Sequence, residues 1–177
     1  MNKTAKKYIG YLEHGSNDLL SIDTANPGKG GCTIFAAIIQ KHYRFRNFSG
    51  LPWCATFVHA VCIEALGKTQ AQKLLGKPHP GTRVLARRLR RRKQLMGQGY
   101  TPKPGDLIFL HNGDGEISHC GIVDQVDGDT VITIEGNTVD PSGTFPPERG
   151  GAVAIRVRKK THPAIVAYGA INSEVKA

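Results

Sequence analysis

The 177-residue sequence predicts an α+β fold, with N-terminal helices packed against a C-terminal antiparallel β-sheet. Three observations lead there. Apolar residues between Leu51 and Gly67 recur at helical spacing. After Gly99 the pattern changes to short β-rich runs at close intervals. Two of those runs are joined by Asp127-Gly128-Asp129, a hairpin turn that makes their pairing antiparallel. With no internal repeat, low-complexity tract or linker, residues 1–177 are expected to form a single domain of ordinary size.

In chain order, Thr4 to about Leu20 is expected to be helical, with Ala5, Tyr8, Ile9 and Leu12 as its apolar stripe and a polar turn after His14. Ser21–Gly31 reads as a loop from its Pro and Gly content, and its Gly-Lys-Gly-Gly lacks the spacing of a phosphate-binding loop. Cys32–Tyr43 is a second helix. The central helix opens at Pro52 and closes at Gly67, and buries Cys54, Phe57, Val58, Val61, Cys62, Ala65 and Leu66. Lys68–Gly99 is polar and basic, with Arg83, Arg87, Arg88, Arg90, Arg91, Arg92 and Lys93 clustered above a thin edge of Val84, Leu85, Leu89 and Leu95. That pattern is a basic amphipathic helix, either a solvated face or a polyanion-binding surface centred on Arg87, Arg88, Arg91 and Arg92. The strands are expected at Asp106–Leu110, Ile117–Val126, Thr130–Glu135, Ala152–Val157 and Ala164–Ala170.

Composition narrows the classes. A formal net charge of +10 favours polyanionic surroundings, whether nucleic acid, anionic lipid or an anionic cell wall. No apolar run reaches membrane-spanning length, so membrane insertion is not expected. The basic N-terminus lacks the apolar stretch of a secretory leader, so work outside the cell would need a holin, dedicated export or a phage particle. Cys32, Cys54, Cys62 and Cys120 are too scattered for a disulfide scaffold. Cys54 and Cys62 lie about 12 Å apart along one helix, beyond bridging distance. Neither the Cys and His spacings nor Asn112–Glu116 match a zinc or calcium motif, so no metal and no cofactor is expected.

The chemistry centres on three positions. Cys54 stands in the first turn of the central helix, where the positive end of the helix dipole favours the thiolate. His119 lies inside the apolar strand ISHCGIV, on one face with Ile117, Gly121 and Val123. Its rivals as a base are His59, which helical geometry points away from Cys54, and His111, at a strand end facing a loop. Glu135 and Asn137 share a face of the following strand, and a Glu in so apolar a run needs a partner. The hairpin puts His119 within its cross-strand reach. A carboxylate behind an imidazole fixes its tautomer and stabilises its cation. A thiol, a base and an orienting group make a nucleophilic-catalysis set.

The segments LPWCATFVHAV, PKPGDLIFL, ISHCGIV and TIEGNT, in that order, resemble the CHAP family, the cysteine, histidine-dependent amidohydrolases/peptidases. The resemblance runs from about Tyr8 to about Ala170. It implies a papain-like fold and cleavage of peptidoglycan amide bonds, by a muramoyl-L-alanine amidase or a stem or cross-bridge endopeptidase. It also implies Cys54 as nucleophile, His119 as base, Glu135 as orienting group and Asn137 as accessory polar residue. Trp53, beside the nucleophile, is a candidate substrate contact. The partner it implies is bacterial cell-wall peptidoglycan. Two departures stand out: Lys41–Trp53 has no acidic residue for the calcium that some relatives bind, and a separate wall-binding domain, which many relatives carry, is not expected. The Arg cluster is a candidate substitute, drawn to anionic wall polymers. Two other readings stay open: a polyanion or nucleic-acid binder on a degenerate hydrolase fold, though no DNA or RNA motif is visible, and a cysteine protease or toxin acting on protein.

Overall fold

The computed structural model describes residues 1–20, 28, 30–44, 46–144 and 150–171, so most of the expected Ser21–Gly31 loop lies outside the described residues. Among the described residues, four α-helices precede the main strands: α1 (Asn2–Lys6), α2 (Ile34–His42), α3 (Cys54–Leu75) and α4 (Thr82–Arg91). The strands are β1 (Leu95–Met96), β2 (Leu107–Leu110), β3 (His119–Asp127), β4 (Thr130–Thr138), β5 (Ala152–Lys159) and β6 (Ile165–Gly169). All pair antiparallel, in the order β1-β6-β2-β3-β4-β5. The molecule is therefore α+β, helices on an antiparallel sheet.

The first helix is much shorter than its apolar stripe suggests. Gly10 turns the chain at φ 88°, and the backbone beyond it bonds to the sheet instead of to itself. Gly10 N–H donates to Val153 O, Val153 N–H donates to Tyr11 O, and Leu12 bridges to Ala152. Sheet bonds satisfy the same groups that a helix would have used. For α2 the start is set by Thr33, whose hydroxyl accepts from Ala36 N at 3.2 Å.

Helix α3 begins at Cys54, breaks at Gly67 (φ 78°, ψ 159°), and resumes to Leu75. The expected stop at Gly67 is a kink, because Ala71, Leu74 and Leu75 beyond it are buried and hold the second segment in place. Its first segment packs Phe57, Val58, Val61 and Cys62 against Leu107, Phe109, Cys120, Ile122 and Ile134 of the sheet. Each such large apolar side chain removed from water contributes on the order of 1.5–3 kcal/mol. The opposite face of the sheet holds a second cluster, Ile108, Leu110, Val123, Val131, Ile165 and Tyr168.

Helix α4 is amphipathic as expected, burying Leu85, Ala86 and Leu89. Strand β1 is new, since two residues are too short to show alternation, and it exists only through pairing with β6. The Gly128-Asp129 turn joins β3 to β4, with Asp127 opposite Thr130. Among the described residues no helix is long and apolar enough to cross a membrane.

Candidate active site

The start of α3 meets the ends of β3 and β4, and that junction gathers residues from both halves of the chain. Cys54 is the first residue of α3 and is 4% exposed. No side chain caps this helix start, so its first-turn N–H groups and its dipole face the thiol region. His119 opens β3 opposite Leu110. Its Nε2 donates to Glu135 Oε2 at 2.9 Å, and the ring is close enough to Cys54 for the two to shift each other's titration. With Nε2 engaged, Nδ1 is the nitrogen left for the sulfur.

Glu135 is fully buried, and its four bonds explain how a carboxylate survives there. Oε1 accepts from Thr133 Oγ1 at 2.6 Å and Arg158 Nη1 at 2.5 Å; Oε2 accepts from His119 and from Arg158 Nη2 at 3.2 Å. Arg158 thus makes the two-pronged contact typical of guanidinium and carboxylate. Across on β3, Gly121 leaves room: a Cβ there would lie 2.5 Å from Glu135 Cγ. Asn137 adopts φ 55° at an irregularity of the β4–β5 register and lines the same cleft as His119 and Glu135.

Two further groups touch the sulfur. Thr82, the first residue of α4, places Oγ1 3.3 Å from Cys54 Sγ, and the buried Cys120 thiol is close enough to act on its titration. The Cys120 contact, then the bond and charge of His119, then Thr82 hold the Cys54 thiol well below its ordinary range, against burial. For His119, burial opposes the cation but is outweighed by bonds to Cys54 and Glu135 and by their charges, so its pKa rises to about 10. Glu135 goes down to about 2: burial would raise it, but His119 and Arg158 prevail. The favoured state is a thiolate beside an imidazolium, backed by a carboxylate.

Other candidates are placed elsewhere. His59 is buried on α3, and burial with the charges of Arg88, His79 and Arg46 holds it near 3, neutral and away from Cys54. His111 takes N–H bonds from Gly113 and Gly115 on Nδ1, and its Nε2 meets Pro163 O. Trp53 is not a substrate contact: it is 1% exposed, stacked on Phe35, and donates to Glu13 Oε2 at 2.8 Å. Its apolar bulk won it a place in the core. Within the Arg cluster, Arg87, Arg91 and Arg92 are exposed and Arg88 is half-buried; Arg88 donates to Leu75 O and Lys77 O, and Arg92 to Lys73 O and Leu74 O. These two satisfy carbonyls at and just beyond the end of α3. Among the described residues no group of three or more His, Cys, Asp or Glu could hold a metal ion.

Sequence reasoning missed Thr82, Thr133, Cys120 and Arg158 as members of this site. A signal existed for Arg158: Glu135 demanded a counter-charge, and Arg156 and Arg158 alternate on the strand that follows. Two clefts flank the site and share Ser118. One, of about 400 Å³, is lined by Leu51, Pro52, Cys54, Pro80, Thr82 and Ile117. The other, of about 410 Å³, is lined on the sheet side by His119, Glu135, Asn137, Arg156 and His162.

A thiol activated by a helix start and an imidazole, itself backed by a carboxylate, is the equipment of a cysteine hydrolase. The chain belongs to the CHAP domain family, whose family model matches residues 46–137, a little over half of its length. That family is one of peptidoglycan amidases and peptidases. No curated protein matches the chain. Among solved structures it is similar to the crystal structure of Ly7917 with the hydrolyzing product of MDP, at 19% identity and a TM-score of 0.29. The match covers 40% of this chain and 28% of that one, so the chain spans well under two thirds of that protein.

Proposed function

We propose that the chain hydrolyses an amide bond of bacterial peptidoglycan through a thioester on Cys54, at the muramoyl-L-alanine bond or within the stem or cross-bridge. The observation that supports this most is His119 set between the Cys54 thiol and the buried Glu135 carboxylate. The Cys54 thiolate attacks the amide carbon, and N–H groups of the α3 start, with that of Cys54, stabilise the oxyanion. The imidazolium of His119 then gives its proton to the departing amine. Neutral His119 next takes a proton from water, which attacks the thioester and releases the acid and the thiolate. Glu135 holds the ring in the tautomer that serves these transfers and stabilises its cation.

The test is turbidity loss of purified cell walls, with mass spectrometry of the released fragments to name the bond. Cys54→Ala and His119→Ala should each lower lysis about 1000-fold or more, with unchanged circular dichroism. Glu135→Gln should keep part of the activity, because it retains a hydrogen-bond acceptor. Wall lysis that survives Cys54→Ala would refute the mechanism. A gel shift at physiological salt, with no lysis, would favour the polyanion-binding alternative. The exposed Arg87 and Arg91 fit attraction to anionic wall polymers. Charge reversal at both should weaken wall binding and its salt dependence.

A further inference from the structure

We propose that the cleft on the sheet side of His119 is a subsite for a carboxylate of the substrate, read by Arg156; this rests on the hydrolase reading above. Arg156 and Arg158 are two apart on β5 and so share a face, opposite Thr133 and Val131 of β4. Both are half-buried, and among the described residues only Arg158 has a counter-charge. Arg158 is paired with Glu135. Glu135 in turn has no capacity left, because its two oxygens already accept four bonds, about all the lone-pair sites a carboxylate has.

Arg156 therefore stands in the cleft beside a like charge, with no ion pair among the described residues. Its cross-strand neighbour is the uncharged Thr133 and its predecessor on that face is Ala154. Among the described residues lining the cleft, Glu135 is the single acid. The other titratable groups there are His119, His111, whose two ring nitrogens are engaged, and His162. In His162, Nδ1 accepts from Ala164 N–H at 3.2 Å, which leaves Nε2 as a donor. A guanidinium kept partly out of water beside another cation is unfavourable until an anion joins it. Its planar fork matches a carboxylate, which peptidoglycan stems carry and their amidated forms lack. The cleft on the other side of Ser118 is walled mainly by Leu51, Pro52, Pro80 and Ile117, with His79 and Arg83 also on its lining, and suits a mainly apolar part of the same molecule.

The deciding experiment is calorimetric binding of soluble muropeptides to Cys54→Ala protein, with stem carboxylates either free or converted to primary amides. Salt is held at about one Debye length of 5 Å or less, to suppress non-specific attraction. The free-acid set should bind about tenfold or more tightly. Adding Arg156→Gln should bring the ratio near one, whereas the charge-matched Lys7→Gln, at the exposed residue just after α1 and not on the cleft lining, should leave it intact. Equal binding of both sets, or a preference that survives Arg156→Gln, overturns the subsite. Turnover by the unmodified enzyme is read separately. Binding selectivity without any cleavage of muropeptides or walls would overturn the hydrolase reading and leave the subsite standing.

Discussion

Replacing Arg158 by Met tests whether the buried carboxylate depends on a countercharge from β5. Stripping one partner from a buried ion pair typically costs about 3–5 kcal/mol. Here Glu135 would lose two of its four bonds and keep Thr133 and His119, so about half, roughly 2 kcal/mol, is expected at neutral pH. The sign of the pH dependence is fixed. Glu135 is depressed from 4.5 to about 2 in the fold, so its contribution is present above 4.5 and lost as pH falls toward 2. Without Arg158 the depression is smaller, and the deficit against the unmodified protein should narrow over that interval. Urea unfolding at pH 7 and at pH values between 4.5 and 2 measures both. The double variant Arg158→Met, Glu135→Gln should be more stable than Arg158→Met alone, because it leaves no buried charge uncompensated. A deficit under about 0.5 kcal/mol, or a double variant less stable than Arg158→Met, would refute this account of the carboxylate.

Three other outcomes are expected. Gly121→Ala puts a methyl 2.5 Å from Glu135 Cγ. It should cost about 1–3 kcal/mol in a thermal melt and lower wall lysis by about tenfold, and normal lysis would mean the carboxylate is not held where it is seen. Lysis should be flat across neutrality and fall as pH rises through about 10, where His119 loses its proton; Glu135→Gln should move that limb downward in a pH–rate profile. His59 is held near 3 against 6.5 unfolded, so its contribution is full above 6.5 and lost on acidification toward 3. At pH 4.5 the loss is roughly 2–3 kcal/mol, and His59→Leu should flatten that part of the stability curve in urea melts.

Much of this was legible in the residues. The two periodicities separated helices from sheet, and Asp127-Gly128-Asp129 marked the hairpin that brings β3 beside β4. Strict alternation from that turn would leave His119 and Glu135 on opposite faces; the register shift between Val123 and Gln125, which no local pattern announces, puts them on the same one. What local pattern could not show was competition from distant backbone. The stripe from Ala5 to Leu12 is helical in spacing, but Val153 and Ala152 claim its peptide groups. Trp53 adjoins the nucleophile in sequence, yet Phe35 and Glu13 draw it inward. Arg88 and Arg92 looked like surface charge until the end of α3 supplied carbonyls for them. Thr82 has no signature at all, because its closeness to Cys54 arises from how α4 docks beside the start of α3.

The countercharge for Glu135 arrives late in the polypeptide, on a strand more than a hundred residues after the nucleophile. A ribosome-bound chain that has emerged only through β4 already contains sulfur, imidazole and carboxylate, but its acidic group has no guanidinium to balance it. The order of synthesis thus places the electrostatic lock after the parts it secures, and unfinished translation products are the forms least able to set the trio in place.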